Sequence, residues 1–452
     1  MPRQNDTATT LNIALQNQTT SSNVNAYITG QAIDNNNALF LLQSDGKTAY
    51  YPTSPSSTLS ALGANCAIPL GAPGNTVTVT IPHLAGARLW FVQDDTLTFY
   101  LNPGPALVEP SSANTADPNY NKYWDFCEFT YNSSQLYVNI SYVDFVSLPI
   151  SLTLTNTSNQ TQHVSGMATN GLDTICSGLN DQQSKDNAGW NQLIIQKNGA
   201  NLRANSPNTG ISINSSLFSG YYQSYVDQVW SQYTNSTLTI DTQIDAGNVI
   251  GQVSSDTFNF GNGAATYTKP SAVDIFGCSS GPFAPTGNQE TDDITARLTA
   301  AFNRSTLLTN SNTPENEDAS KYYQNAITNH YARIVHAANL DGRGYTFPYD
   351  DVAPTNGADQ SGSIHDPNPQ LLTVAVGGGN ASTSAGTNHP SKTVLQTGGN
   401  QKSGQNNCGT RDNETSGGSS SDEQNGKGNK SGGNNSKQNG FLGFIKRLPC
   451  FN

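Results

Sequence analysis

The chain has 452 residues, a formal net charge of −12, and only 12% charged side chains against 41 glycines and 22 prolines. That length allows a large core, or two cores sharing a cleft, and the polar, turn-rich composition suits β structure better than helix. From Gly378 onward there are eight Lys/Arg and four Asp/Glu, which leaves 13 basic against 29 acidic groups in residues 1–377, a body that repels phosphate backbones and lacks a basic stripe for nucleic acid.

The opening MPRQNDTATTLNIALQNQ has no basic stretch followed by an apolar run. Two expectations stay open: a leader outside these residues, or a chain that stays inside the cell. From Thr9 to Ser177 short apolar alternations such as LNIAL, NALFLLQSD, NTVTVTIPHL and ARLWFVQDDTLTFYLN are separated by Asn, Gly and Pro clusters. Repeated short strands of this kind predict a β sandwich or barrel. The texture changes over 178–340, where YYQSYVDQVWSQY (221–233), TDDITARLTAAFNRSTLL (291–308) and ASKYYQNAITNHYARIVHAANL (319–340) space their apolar residues at helical intervals, with STLTIDTQ and NVIGQVSSDTFNFG as strands between them. Strand texture returns over 341–377 in GYTFPYDDV and QLLTVAVGG, so the mixed α/β part is expected as an insertion into the β part. Residues 378–440 hold almost no large apolar side chains, the last twelve, FLGFIKRLPCFN, are apolar and basic, and 378–452 as a whole is expected to be a disordered tail. No stretch approaches the roughly 18 apolar residues of a membrane span.

The six cysteines, Cys66, Cys127, Cys176, Cys278, Cys408 and Cys450, are far apart with no C-x-x-C pair, which argues against zinc and leaves up to two disulfides among the first four or buried free thiols. Sequons at Asn139, Asn156, Asn214 and Asn235 would suit a secreted glycoprotein, although a chain this rich in Asn, Ser and Thr produces them by chance.

The stretch YWDFCEFTYNSSQLYVNISYVDFVSLPI (123–150) reads as a hairpin. Glu128, Thr130 and Asn132 share one face, with Cys127, Phe129 and Tyr131 on the other. A turn at Ser133-Ser134 pairs Glu128 with Asn139 and Thr130 with Tyr137, so that Tyr137, Asn139 and Ser141 extend the polar face. Asp144 falls out of phase, and a β-bulge near Tyr142-Val143 would return it to the polar side. On a flat sheet that puts it roughly 13 Å from Glu128. This exceeds the roughly 6.5–9.5 Å of an inverting glycosidase pair and is far beyond the roughly 5–5.5 Å of a retaining pair. Two acids on a sheet face are also an ordinary solubilising feature, and spacing does not decide between the two readings.

WDFCEFTYN and LYVNISYVDFVSLPISLTL, with GARLWF (86–91), LVEPS (107–111), YYQSYVDQVW (221–230) and GYTFPYDD (344–351), resemble glycoside hydrolase family 64, the β-1,3-glucanases that release short laminari-oligosaccharides. The resemblance spans about residues 10–377. It implies a thaumatin-like β barrel with an α/β domain around a wide groove, Glu128 as general acid, Asp144 as general base, and inversion at the anomeric carbon. Thr130 and Asn132 resemble groove-lining positions, Ser141 shares their face, and Tyr137 stands where a tryptophan is expected in bacterial members. Asp350 and Asp351 resemble an acidic element of thaumatin-like clefts, with a turn cap as the alternative.

The six histidines show no H-E-x-x-H spacing, GCSSGP (277–282) is not G-x-S-x-G, and Trp90, Trp190 and Trp230 read as core. The expectation is therefore an extracellular or cell-wall, monomeric, inverting endo-β-1,3-glucanase that acts on long glucan and needs no metal or organic cofactor. Its rivals are a thaumatin-like glucan-binding wall protein whose acids only hydrogen-bond sugar, and a structural wall protein with the tail as tether.

Overall fold

The computed structural model describes residues 7–378 apart from 316, 356 and 358. The low-complexity stretch lies outside the described residues from 379 on. Two sheets dominate. The larger has eight strands: β1 (Val24–Ala32), β2 (Leu84–Gln93), β3 (Tyr123–Tyr131), β4 (Leu136–Ile140) and β5 (Ser363–Asp366), with Ala38–Leu42 and Ala49–Tyr50 beyond β1 and the two-residue Ile68–Pro69 also paired to β1. Its order from one edge is β5-β4-β3-β2-β1. The second sheet runs Thr161–Val164, Ile150–Asn156, Pro369–Val376, Thr10–Asn17, Thr76–Pro82. Pro369–Val376 lies antiparallel to Ile150–Asn156 and parallel to Thr10–Asn17, so the last described strand is sewn between two early ones.

Alternation explains why these sheets share a core. Leu11, Ile13 and Leu15, Val79 and Ile81, Leu372, Val374 and Val376 from the second sheet join Leu89, Phe91, Phe129, Val138 and Ile140 from the first in one apolar cluster. Among the described residues each sheet is an open path of strands and none closes into a barrel, which corrects the barrel expected from the sequence. The molecule is mostly β with some helices.

Between Gly171 and Thr313 the chain adds helices, a sheet of five short strands, and Ile194–Lys197 and Ala200–Asn205, which join Phe145–Val146 in a three-stranded sheet. The predicted helices at 221–233 and 291–308 form as Gln223–Asn235 and α1 (Gln289–Arg304); the third is shorter than its pattern, α2 (His330–Ala338). The helix Gly171–Asp186, by contrast, lies across the expected 177/178 boundary. GYTFPYDDV is not a strand. It is a turn-rich segment that touches the sheet through a single bridge between Tyr345 and Ser141.

Cys66, Cys127, Cys176 and Cys278 are buried free thiols, so no disulfide joins them. Burial pushes Cys66 up to about 11 and Cys176 and Cys278 up to about 12. Asn139 and Asn156 are buried and present no amide to a glycan, whereas Asn214 and Asn235 are exposed. No helix among the described residues is long and apolar enough to cross a membrane.

Candidate active site

One face of β3 presents Trp124, Phe126, Glu128 and Thr130 in succession. The first two are buried with Trp90 and Phe145 in a second, aromatic cluster, whereas Glu128 and Thr130 are half-buried. The face thus changes from apolar to polar at Glu128. The hairpin register is the one the alternation predicts, Glu128 opposite Asn139 and Thr130 opposite Tyr137. It extends into a polar row across five strands: Thr29, Arg88, Glu128, Asn139 and Ser363 stand directly opposite one another in turn.

Arg88 organises this row. Its Nε donates to Glu128 Oε1 at 3.2 Å, and its Nη1 donates to Oε2 of Glu109, which follows the short strand Ala106–Val108. The guanidinium lies over the rings of Phe126 and Trp90, 4.8 and 5.4 Å from their centroids. Burial opposes the arginine's charge, but Glu109, Glu128 and Asp144 together raise its pKa above the ordinary value. Burial also pushes the Glu109 carboxyl up, with Arg88 pulling it down and the charges of Glu128 and Asp144 adding to the rise.

Asp144 reaches this group by a route that differs from the predicted bulge. β4 ends at Ile140, Ser141 bridges to Tyr345, and the Tyr142 amide donates to the Tyr345 carbonyl at 2.7 Å. The Tyr142 hydroxyl donates to Asn339 Oδ1 at 3.1 Å, and its carbonyl accepts from the Tyr331 hydroxyl on α2 at 2.7 Å. Phe145 then sets its ring on Trp124 and Phe126, with centroids 4.7 and 6.0 Å apart. Asp144 sits in the bend between these anchors, half-buried while Val143 and Phe145 are buried, and its carbonyl accepts from the Ser206 amide at 2.9 Å. The two aromatic side chains are drawn into different apolar clusters, and that, rather than an extra residue in a ladder, shapes the bend that carries Asp144, whose charge acts on Arg88.

Asp125 ties the two acid-bearing segments together from within the interior. Its Oδ1 accepts from the Phe126 amide at 2.8 Å, and its Oδ2 accepts from the amides of Ser147 and Leu148 at 2.8 and 3.1 Å. Asp125 is three residues before Glu128, and Ser147 is three after Asp144. Burial pushes the Asp125 carboxyl up to about 8, against the three amides and Arg203.

The other predicted contacts divide. Thr130 and Tyr137 are half-buried on the polar face; burial, then the charge of Asp351, raises the Tyr137 phenol above its usual range. Asp351 is half-buried, accepts from the Tyr345 hydroxyl at 2.8 Å, and is pushed up by burial. Three candidates are engaged elsewhere in the structure. The Asn132 Oδ1 is taken by the turn, accepting from the amides of Ser134 and Gln135 at 2.9 and 3.0 Å, because an Asn at this place mimics a backbone turn. Ser141 is 1% exposed, covered where the chain meets Tyr345. Asp350 has a side-chain exposure of 0% and is filled by protein donors: Arg304 of α1 at 3.2 Å, His336 of α2 at 3.0 Å, and the Thr346 amide and hydroxyl at 3.0 and 2.7 Å. Burial works to raise its carboxyl, but His336, Arg304 and Thr346 hold it below the usual range. It is a structural anchor out of reach of a sugar.

Arg88, Glu109 and Asp125 were not among the predicted site residues. Arg88 carried a readable signal, as the one charged side chain in the apolar strand LAGARLWFVQ. Among the described residues no three His, Cys, Asp or Glu side chains gather as metal ligands.

Two carboxyl groups on neighbouring segments, one of them in a half-buried polar row, are the kind of acid pair that most glycoside hydrolases use. The sequence profile of the family described as β-1,3-glucanase, glycoside hydrolase family 64, matches residues 9–376, and the chain belongs to that family. It is 32% identical over 308 residues to a glucan endo-1,3-β-glucosidase of Arthrobacter sp. (strain YCWD3), covering 67% of this chain and 54% of that protein, and equally similar to one of Cellulosimicrobium cellulans. The chain therefore spans about half the length of the curated relatives it matches. Among solved structures it is similar to a laminaripentaose-producing β-1,3-glucanase in complex with laminaritetraose, with a TM-score of 0.72 and 28% identity over 81% of this chain and 98% of that one. The fold is also shared with a β-1,3-glucanase domain from Clostridium beijerinckii, TM-score 0.64 at 22% identity over 81% of this chain and 98% of that one.

Proposed function

We propose that this protein hydrolyses internal linkages of β-1,3-glucan with inversion, with Glu128 as general acid and Asp144 as general base, releasing short laminari-oligosaccharides. The observation that supports the reading is that Glu128 accepts from Arg88 at 3.2 Å while the charge of Asp144, on a separately anchored segment, acts on the same arginine. Glu128 follows Phe126 of the aromatic cluster on the same strand face, and as general acid it starts the reaction protonated. It protonates the departing glycosidic oxygen while Asp144 takes a proton from a water that attacks the anomeric carbon from the opposite flank. Thr130, Tyr137 and Asp351 supply hydroxyl, ring and carboxylate to the sugar. A polymer substrate of this kind occurs in cell walls, so an extracellular site of action and a monomeric enzyme follow as part of the proposal.

The test is reducing-sugar release from laminarin and curdlan. Glu128→Gln and Asp144→Asn are each expected to lower turnover by about 100-fold or more, the usual worth of general acid or base catalysis. A wild-type protein that binds the glucan and releases no sugar would instead be a glucan-binding wall protein.

A further inference from the structure

Glu109 lies outside the polar row that carries Glu128, yet the two acids share one cation: Nη1 of Arg88 donates to Glu109 and Nε donates to Glu128 at 3.2 Å. Stacking over Phe126 and Trp90 fixes the plane of that guanidinium, so both sides of its fork are occupied at once. The three side chains are 21% (Arg88), 30% (Glu109) and 15% (Glu128) exposed, so solvent screens them incompletely. Asp144 acts on the same arginine and on Glu109. One cation thus faces three carboxylates, and full ionisation of all three leaves an excess of negative charge at an apolar border. A bound proton relieves that excess.

We infer that Glu109 is a positioning residue that acts through Arg88 to keep the reactive proton on Glu128. It occupies half of the guanidinium fork, which weakens the pull of Arg88 towards ionised Glu128, and its own negative charge favours the protonated form of its neighbour. The inference rests on the reading of Glu128 as general acid. The sign follows from Arg88 and Glu109, which each interact with Glu128, and from Asp144, whose charge acts on both of them: a neighbouring cation favours the carboxylate, and a neighbouring anion favours the acid. Removing the charge of Glu109 leaves Arg88 shared between Glu128 and Asp144 only, and Glu128 gives up its proton at lower pH.

Two measurements on Glu109→Gln test this. In the pH profile of kcat/KM on laminarin, the alkaline limb moves down by about one pH unit relative to wild type, with KM little changed, and Glu109→Asp recovers part of the shift. In protein labelled with 13C at the glutamate carboxyls, the Glu128 signal, assigned by its loss in Glu128→Gln, titrates at lower pH when Glu109 is Gln. An alkaline limb and a Glu128 titration both unmoved by Glu109→Gln overturn the inference, as they must if Glu109 itself holds the proton. The labelling experiment separates the two claims. A shifted Glu128 signal in a protein that releases no sugar sustains the coupling and removes the catalytic reading; an unshifted signal in an active enzyme removes the coupling alone.

Discussion

Replacing Asp125 by alanine tests how the two acid-bearing segments are held together. The side chain accepts three backbone N–H groups, one from its own strand and two, Ser147 and Leu148, from the segment that follows Asp144. A buried donor left without an acceptor costs about 1–3 kcal/mol, so the two cross-segment amides alone are worth about 2–6 kcal/mol, a large part of a total stability of about 5–15 kcal/mol. Asp125→Asn keeps one acceptor oxygen and turns an amide nitrogen towards the remaining N–H, at an expected cost of about 1–3 kcal/mol. The assay is urea unfolding followed by tryptophan fluorescence, since Trp90 and Trp124 sit in the adjoining aromatic cluster. The pH dependence has a definite sign. Burial pushes the folded carboxyl up to about 8, while the unfolded one titrates near about 4. Between these values the native state binds a proton that the unfolded state does not, so the contribution of Asp125 is fully present below the lower value and stability falls as pH rises, by up to about 1.4 kcal/mol per pH unit. Asp125→Asn removes that slope. An Asp125→Ala protein that unfolds at the wild-type urea concentration with the wild-type pH dependence refutes the clamp.

Asp350→Ala leaves buried Arg304 and His336 without their carboxylate and is expected to cost about 3–5 kcal/mol in the same urea assay, while KM on laminarin holds in the protein that remains folded. Because His336, Arg304 and Thr346 hold its carboxyl low, the stability Asp350 contributes is present at neutral pH and is lost as pH falls below about 4. Asn132→Ala removes the turn acceptor and is expected to lower stability by about 1 kcal/mol with KM unchanged. Tyr137→Ala removes one ring from the polar face and is expected to raise KM by about tenfold, about 1.5 kcal/mol of apolar contact, with Tyr137→Trp restoring it.

The hairpin was legible because strict alternation from Cys127 to Ile140 allows one register that keeps both apolar sets on the same side, and the two-residue tip at Ser133-Ser134 fixes it. Asp144 was legible as an anomaly but not in its geometry, because its direction is set by Tyr331 and Asn339 on Tyr142 and by Trp124 and Phe126 on Phe145, partners up to 197 residues away. Asp350 and Asp351 look alike in the sequence. One is sealed by α1 and α2 and the other faces Tyr345, a distinction made only by tertiary packing. GYTFPYDDV alternates like a strand, yet Pro348 cannot donate to a ladder and Tyr349 takes a positive φ of 69°, so the segment turns. The helix Gly171–Asp186 was hidden by its Asn, Gln and Ser content; Ile175, Cys176 and Leu179 carry its apolar stripe.

The most direct measurement is the anomeric configuration of the first oligosaccharide released, followed by proton NMR in the first minutes of laminarin hydrolysis. With an acid and a base on opposite flanks of one linkage, the α anomer appears first and the β anomer grows only by mutarotation. A β anomer present from the start contradicts the assigned roles of Glu128 and Asp144.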